Sequence, residues 1–225
     1  MIVVQVPLRV SFFGGGTDLP DFYRYHGGGE VLGMAIQASV YVVVQRRFDD
    51  LICAHYTERE LVEDVSELQH DLIREALRLT GVTRGVEVTT LADIPSEGTG
   101  LGSSSSLAVG LLQALYQYRG QGVEGRRLAE EACRIEIEVL ERPIGKQDQY
   151  LAAFGGLCSL RFRSTYTDVQ ALDLPGDTLA RLQERLLLFY TGLTRKASDV
   201  LTEQRARIAE TAAVLRLMAE MAVGA

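Results

Sequence analysis

Three cysteines, Cys53, Cys133 and Cys158, are too few and too widely spaced in this 225-residue chain to suggest a disulfide framework or a zinc motif. Each lies in an apolar context, which fits a reducing cytoplasm. Basic residues are short as well. The 23 Lys and Arg stand against 30 Asp and Glu, a net charge of −7 with no long basic run, so nucleic acid is not the expected main partner. The segment Met1 to Pro7 has no basic leader, and its apolar run is too short for a signal peptide. No stretch approaches a membrane span. What remains is ordinary globular composition, 47% hydrophobic and 24% charged, in a chain long enough for one full core and part of a second. A cytoplasmic protein without membrane or nucleic-acid partner is the expectation.

The most informative stretch is Glu97-Gly98-Thr99-Gly100-Leu101-Gly102 followed by Ser103 to Ser106, which joins the strand-like Val86 to Thr90 to a helix with Leu107, Leu111 and Leu115 on one stripe. A flexible Gly/Ser linker would separate two uncommitted polar flanks. A run ending at a helix start instead offers unpaired N–H groups and a partial positive charge to an anion. Known glycine loops are excluded by what is missing. No lysine follows the glycines as a Walker loop requires, and Ser103 stands where a dinucleotide fingerprint needs its third glycine. There is no Gly-x-Ser-x-Gly elbow, so the serines are poor hydrolase nucleophiles.

In chain order, residues 2–6 and 8–13 read as two strands broken at Pro7, the second stopping at Gly14-Gly15-Gly16-Thr17-Asp18, where backbone can approach a ligand. Asp18 suits sugar hydroxyls, or the cap of a helical turn at Leu19-Pro20-Asp21. Arg9, on the alternation Pro7, Arg9, Ser11, is either solvated or a fork for phosphate. Val40 to Val44 is a strong strand, with Leu51 to Tyr56 its expected hairpin partner. The polar residues 57–69 lead into a helix over Leu72 to Leu79, closed by Gly81.

The helix of about residues 126–141 carries Leu128, Ala132, Ile135 and Val139 as a stripe, widened by Ala129, Cys133 and Leu140. Glu136 falls inside that stripe, whereas Glu130, Glu131, Glu138 and Glu141 fall outside. A buried carboxylate left unpaired costs several kcal/mol, so Glu136 requires a metal ion or a basic side chain. Beyond Pro143 comes a polar knot, Lys146 to Gln149, in which Asp148 either caps a short helix starting at Gln149 or acts as a general base. Leu157 to Phe162 reads as a strand, Asp173 to Asp177 as a turn and boundary, and Leu186 to Tyr190 as a strand. A helix from about 197 to 223 presents Leu201, Ile208, Leu215, Met218 and Ala222, a side that nothing later in the chain covers. This implies a missing C-terminal portion or a partner chain, including a second copy.

Four segments in order, Pro7-Leu8-Arg9 with Gly14 to Asp18, Gly100 to Ser106, Gly145 to Gln149, and Thr191-Gly192-Leu193-Thr194-Arg195-Lys196, resemble the GHMP kinase superfamily of galactokinase, homoserine kinase, mevalonate kinase and phosphomevalonate kinase. The Gly-Gly-Gly-Thr-Asp form is most similar to its D-glycero-D-manno-heptose 7-phosphate kinase branch. The resemblance implies an α+β fold. Residues 1–180 would be the N-terminal ATP-binding domain, a ribosomal-protein-like βαβ sandwich of sheet and helices, and residues 181–225 the opening strand and helix of a ferredoxin-like C-terminal domain. It further implies transfer of the ATP γ-phosphoryl group, with Mg2+, to a hydroxyl of a sugar or sugar phosphate. Gly98, Gly100, Leu101, Gly102, Ser103, Ser104 and Ser105 would bind the nucleotide, and Ser104 and Glu136 the metal. Asp148 would be the base and Arg9 would steady the transferring group, while Gly14, Gly15, Gly16, Thr17, Asp18 and Arg195 would face the substrate. Galactokinases carry Glu-His where Gly15-Gly16 stand here, so galactose contacts do not transfer. The superfamily's C-terminal glycine-rich motif is absent from this chain. Rival readings are a fucose- or galactose-type kinase and a nucleotide-binding module without catalysis.

Overall fold

A computed structural model describes residues 1–95, 99–189 and 197–225, and the side chains of 197–201 are left aside. Seven strands form one mixed sheet: β1 (Ile2–Phe13), β2 (Gly29–Arg46), β3 (Ile52–His55), β4 (Arg59–Val62), β5 (Val86–Ala92), β6 (Leu157–Phe162) and β7 (Thr167–Ala171). The helices are α1 (Pro20–Tyr23), α2 (Asp71–Thr80), α3 (Ser103–Tyr118), α4 (Gly125–Cys133), α5 (Gln147–Phe154), α6 (Gly176–Arg185), α7 (Ala197–Ala206) and α8 (Ile208–Gly224).

The 18-residue β2 organises the sheet. β1 pairs along one of its edges, while the other edge is shared by β6 against Gly29–Met34 and β5 against Val40–Arg46. The order is therefore β4-β3-β5-β2-β6-β7. Strand alternation sends Val4, Val6, Val42, Val44, Ile52, Ala54, Val86 and Val88 to one face, where they meet Leu72, Ile73 and Leu77 of α2 and Leu111, Leu112 and Leu115 of α3 in the main core. The expected α+β architecture is present as one mixed sheet with helices, and α2 is closed by Gly81 at φ 69° as its sequence indicates.

Several expectations need correction. β1 is one strand through Pro7, because an edge strand that pairs only with β2 tolerates a residue without an N–H. An irregularity between Pro7 and Arg9 is all that marks it. Leu51 to Tyr56 does not pair with Val40 to Val44. β1 and β5 already occupy both edges there, and β3 pairs with β4 antiparallel and β5 in parallel. Residues 186–189 are exposed and form no strand, since they lie against no sheet edge; Tyr190 lies outside the described residues. The turn at Asp173 to Asp177 gives way at Gly176 to α6, which buries none of its residues and runs through residue 180. The long C-terminal helix is two helices interrupted at Arg207. Its apolar side is not left bare: Ile208 and Leu215 pack on Leu19 and Phe22, with Met218 beside them, and Ala222 is buried as well. The expected uncovered stripe is thus covered by this chain itself; the burial of Leu201 lies outside the described residues. Among the described residues no helix is long and apolar enough to cross a membrane.

Candidate active site

Gly102 sets the start of α3. It is the N-cap at φ 77°, a left-handed conformation that favours glycine, and having no side chain it makes no cap of its own. A glycine at this place brings the backbone of the helix start close to the surface of the loop, where an anion can approach it. A Cβ at Gly102 would come within 3.1 Å of Asp148 Oδ2 and 3.4 Å of Arg9 Cγ, so the glycine also makes room for the pair beside it.

That pair is a two-toothed fork. Arg9 Nε and Nη2 donate to Asp148 Oδ1 and Oδ2, each at 2.6 Å, and Nη1 donates to the Gly100 carbonyl at 2.6 Å. Arg9 N donates to the Leu101 carbonyl at 3.1 Å. One residue of β1 thus ties the loop before α3 to the first turn of α5. The arginine side chain is 12% exposed, which rules out the solvated reading. Burial opposes its charge, but Asp148 more than offsets this and the guanidinium holds its proton above its ordinary value. Asp148 does not cap: α5 begins at Gln147, placing Asp148 inside the first turn with its carboxylate turned to Arg9.

Glu136 is fully buried, as its place on the wheel requires, and its basic partner is Arg142. Ser104 Oγ donates to Glu136 Oε1 at 2.6 Å, Arg142 Nη1 donates to the same oxygen at 3.1 Å, and Gln149 Nε2 donates to Oε2 at 2.6 Å. Arg142 also reaches Ser104 Oγ at 2.5 Å and both oxygens of Asp71, at the start of α2. Burial works against the charge of Asp71, yet the hydrogen bonds from Arg142 prevail and hold its carboxyl below the usual range. The expected single helix of 126–141 ends at Cys133 and continues as a π-helical turn over Arg134–Val139, closed by Leu140 N on the Ile135 carbonyl at 2.9 Å. The wider turn shifts the helical phase by one residue. Val139 is consequently exposed, and Leu140 takes its place against the core. Glu141 just beyond has φ 52°, the only non-glycine with positive φ among the described residues.

The glycine-rich loop after β1 packs mainly on protein. Thr17 Oγ1 donates to the Gly14 carbonyl and takes the Glu30 N–H. Gly14 and Gly16 are buried and Gly15 half-buried. Asp18 does not cap α1, whose N-cap is Leu19. Its carboxyl accepts from Gly16 N and Gln147 N, both at 3.0 Å, and a Cβ at Gly145 would lie 1.9 Å from Oδ2. Only glycine at 145 lets Asp18 cross to the base of α5. Burial pushes the Asp18 carboxyl up to about 6, the two backbone N–H groups pulling against it and the Asp148 charge adding to it. Because this group binds its proton more tightly folded than unfolded, its contribution to stability is complete below pH ~4, falls by about 3 kcal/mol as pH rises to ~6, and is flat above. Chemical denaturation across that range is expected to show this slope in the wild type and not in Asp18→Asn; parallel curves would refute it.

Of the residues singled out in the sequence, the structure brings Arg9, Gly100, Leu101, Gly102 and Asp148 together and sets Ser104 against Glu136, with Asp18 linked through Gln147. Ser103 and Ser105 lie on the first turn of α3. Gly98 and Arg195 lie outside the described residues. Arg142, Asp71 and Gln149 were missed; the signal available was that Glu136 demanded a cation and an arginine follows six residues later. A cleft of about 510 Å3 adjoins Lys146, lined also by Tyr23, Arg24, Cys133, Arg134 and Tyr150. Neither Arg9 nor Asp148 lines it, and its basic and acidic side chains nearly balance.

The family model for the GHMP kinases N terminal domain matches residues 67–156, from the turn before α2 through α5. Over those residues the chain is similar to the GHMP kinases N terminal domain. The chain is 28% identical over 224 residues to D-glycero-alpha-D-manno-heptose 7-phosphate kinase of Campylobacter jejuni, covering 93% of this chain and 65% of that protein. It is equally identical, over 224 residues, to the galactokinase of Pyrococcus furiosus, covering 93% of this chain and 58% of that protein. It therefore spans less than two thirds of either relative. Its fold matches the crystal structure of a D-glycero-D-manno-heptose 1-phosphate kinase from Bacteroides thetaiotaomicron with a TM-score of 0.79 at 24% identity, covering 96% of this chain and 73% of that one.

Proposed function

We propose that the chain forms the ATP-binding and catalytic part of a cytoplasmic small-molecule kinase, moving the ATP γ-phosphoryl group to a hydroxyl of a sugar or sugar phosphate, D-glycero-D-manno-heptose 7-phosphate first. The observation that carries this reading is the Arg9–Asp148 fork held against Gly100 to Gly102 at the glycine-led start of α3. Phosphoryl transfer asks mainly for positioning and charge neutralisation, and the fork supplies a base and a cation beside a loop suited to phosphate. Gly98 to Ser105 cradle the nucleotide. Asp148 takes or orients the acceptor hydroxyl proton, Arg9 steadies the transferring group, and Gly14 to Asp18 with Arg195 face the sugar. Residues 1–180 serve as the catalytic domain and 181–225 open a second one.

Ser104 Oγ lies 2.6 Å from Oε1 of the fully buried Glu136 carboxylate, which Arg142 already serves. These hard oxygen donors fit magnesium, and Ser104 and Glu136 are the residues that would hold it. When bound it would neutralise phosphate charge. A panel of heptose 7-phosphate, fucose and galactose, read by ADP release from the full-length gene product, tests the assignment. Heptose phosphate is expected to lead. Turnover with fucose or galactose alone replaces the substrate, and ATP binding without ADP release makes the protein a nucleotide-binding module.

A further inference from the structure

The sheet face turned away from the helices carries a polar cluster that phosphoryl transfer does not use. Cys53 and His55 alternate on β3 with Ile52 and Ala54, which enter the main core, so both project to the opposite face. The parallel register sets Cys53 beside Glu87 of β5. Cys53 Sγ lies 3.2 Å from His55 Nε2, and that nitrogen lies 3.7 Å from Glu87 Oε1. The three ligand atoms all fall within 4.8 Å of one another.

Such spacing suits one ion. Bonds of about 2.3 Å to sulfur and about 2.0–2.2 Å to nitrogen and oxygen, spread tetrahedrally, place ligand atoms roughly 3.3–3.6 Å apart. Sulfur and carboxylate both approach the same ring nitrogen, whereas a thiol-imidazole-carboxylate relay needs them on opposite nitrogens. The geometry is therefore that of convergent ligands and not of an activated nucleophile. Arg47 Nη1 holds the far oxygen of Glu87, Oε2, at 3.0 Å and is itself paired with Asp49 at 2.7 Å, while Gln45 Nε2 donates to Oε1 at 3.1 Å. Outer contacts of this kind orient ligating carboxylates. Once the thiol proton is released to solvent, Cys53, Glu87 and Asp49 outnumber Arg47 and Arg59, the exposed register partner of His55, leaving a negative balance that a divalent ion offsets. Cys53 is fully covered and the His55 side chain is one-third exposed, so the ion enters past the imidazole.

We propose that Cys53, His55 and Glu87 bind a single borderline-soft divalent cation, zinc before others, with a fourth position open to water. The ion would clasp β3 to β5 on the face opposite the main core. The cysteine spacing in the sequence gives no zinc motif; the register of two strands assembles the site.

Cobalt(II) titration of the reduced protein without nucleotide tests this, because cobalt bound by a thiolate gives a sulfur-to-metal charge-transfer band in the near ultraviolet. The Ser104–Glu136 site holds no sulfur and cannot produce it. One equivalent of cobalt is expected to raise the band, and zinc to remove it. Cys53→Ser should abolish the band while Cys133 and Cys158 remain. His55→Ala, which keeps the thiol, should weaken cobalt binding by about tenfold or more, with circular dichroism confirming an unchanged fold. No band in the wild type, or a band that survives Cys53→Ser, overturns the site.

Discussion

Asp148→Asn is expected to cut turnover by about 10²-fold or more while the affinity for an ATP analogue stays within a fewfold of wild type. The carboxylate faces the loop that leads into α3 and is 23% exposed, with both oxygens gripped by Arg9 at 2.6 Å. Asparagine keeps the size and one acceptor. It loses the charge and turns an NH2 group toward an N–H donor, so one of the two bonds to Arg9 is lost. Arg9→Lys separates the two roles that Asp148 could have. Lysine preserves the positive charge and forfeits the planar fork. If Asp148 served only to anchor Arg9, the two variants would be equally impaired and combining them would cost nothing more. A base places Asp148→Asn well below Arg9→Lys in kcat. Steady-state kinetics with calorimetric binding decides the matter, and near-normal turnover by Asp148→Asn would remove the base from the proposal.

Features governed by short stretches of chain were legible in the sequence. The closure of α2 by Gly81, the whole of β6 and the need of Glu136 for a cation all follow from a few neighbouring residues, whereas α3 starts at Ser103, four residues before the apolar run that announces it. What escaped was nonlocal. Val40 to Val44 and Leu51 to Tyr56 look like a hairpin, but a strand has two edges, and those of β2 are taken by β1, β5 and β6. β4 and β7, of four and five residues, carry too little apolar alternation to announce themselves. Leu186 to Phe189 has the composition of a strand without an edge to join. The π turn at Arg134–Val139 adds a residue to one turn, which no fixed period of 3.6 anticipates, and it moves Val139 out of the stripe that the wheel assigned to it. The catalytic pair shows the same limit. Arg9 and Asp148 are 139 positions apart, and only the resemblance to a family joined them before the fold did.

The second large effect concerns the cation beside Glu136. Arg142→Ala leaves a fully buried carboxylate with only the neutral donors Ser104 and Gln149. Breaking a buried ion pair from one side costs about 3–5 kcal/mol. Arg142 is 27% exposed, and solvent screening favours the lower end, about 3 kcal/mol. For a chain of this size that is a fall in Tm of roughly 6–12 °C. Adding Glu136→Gln to Arg142→Ala removes the stranded charge and should restore part of the loss, the coupling of a double-mutant cycle. Magnesium then discriminates. If Ser104 and Glu136 hold the ion, magnesium with an ATP analogue supplies the missing positive charge and raises the Tm of Arg142→Ala by more than that of the wild type, an increment that Glu136→Gln abolishes. Equal increments in both proteins would mean that Arg142 alone answers the buried carboxylate and that the metal assignment fails. The arginine of the structure and the magnesium of the proposal are two answers to one electrostatic demand, and a pairing that stabilises the fold without ligand must be rearranged when the metal nucleotide binds.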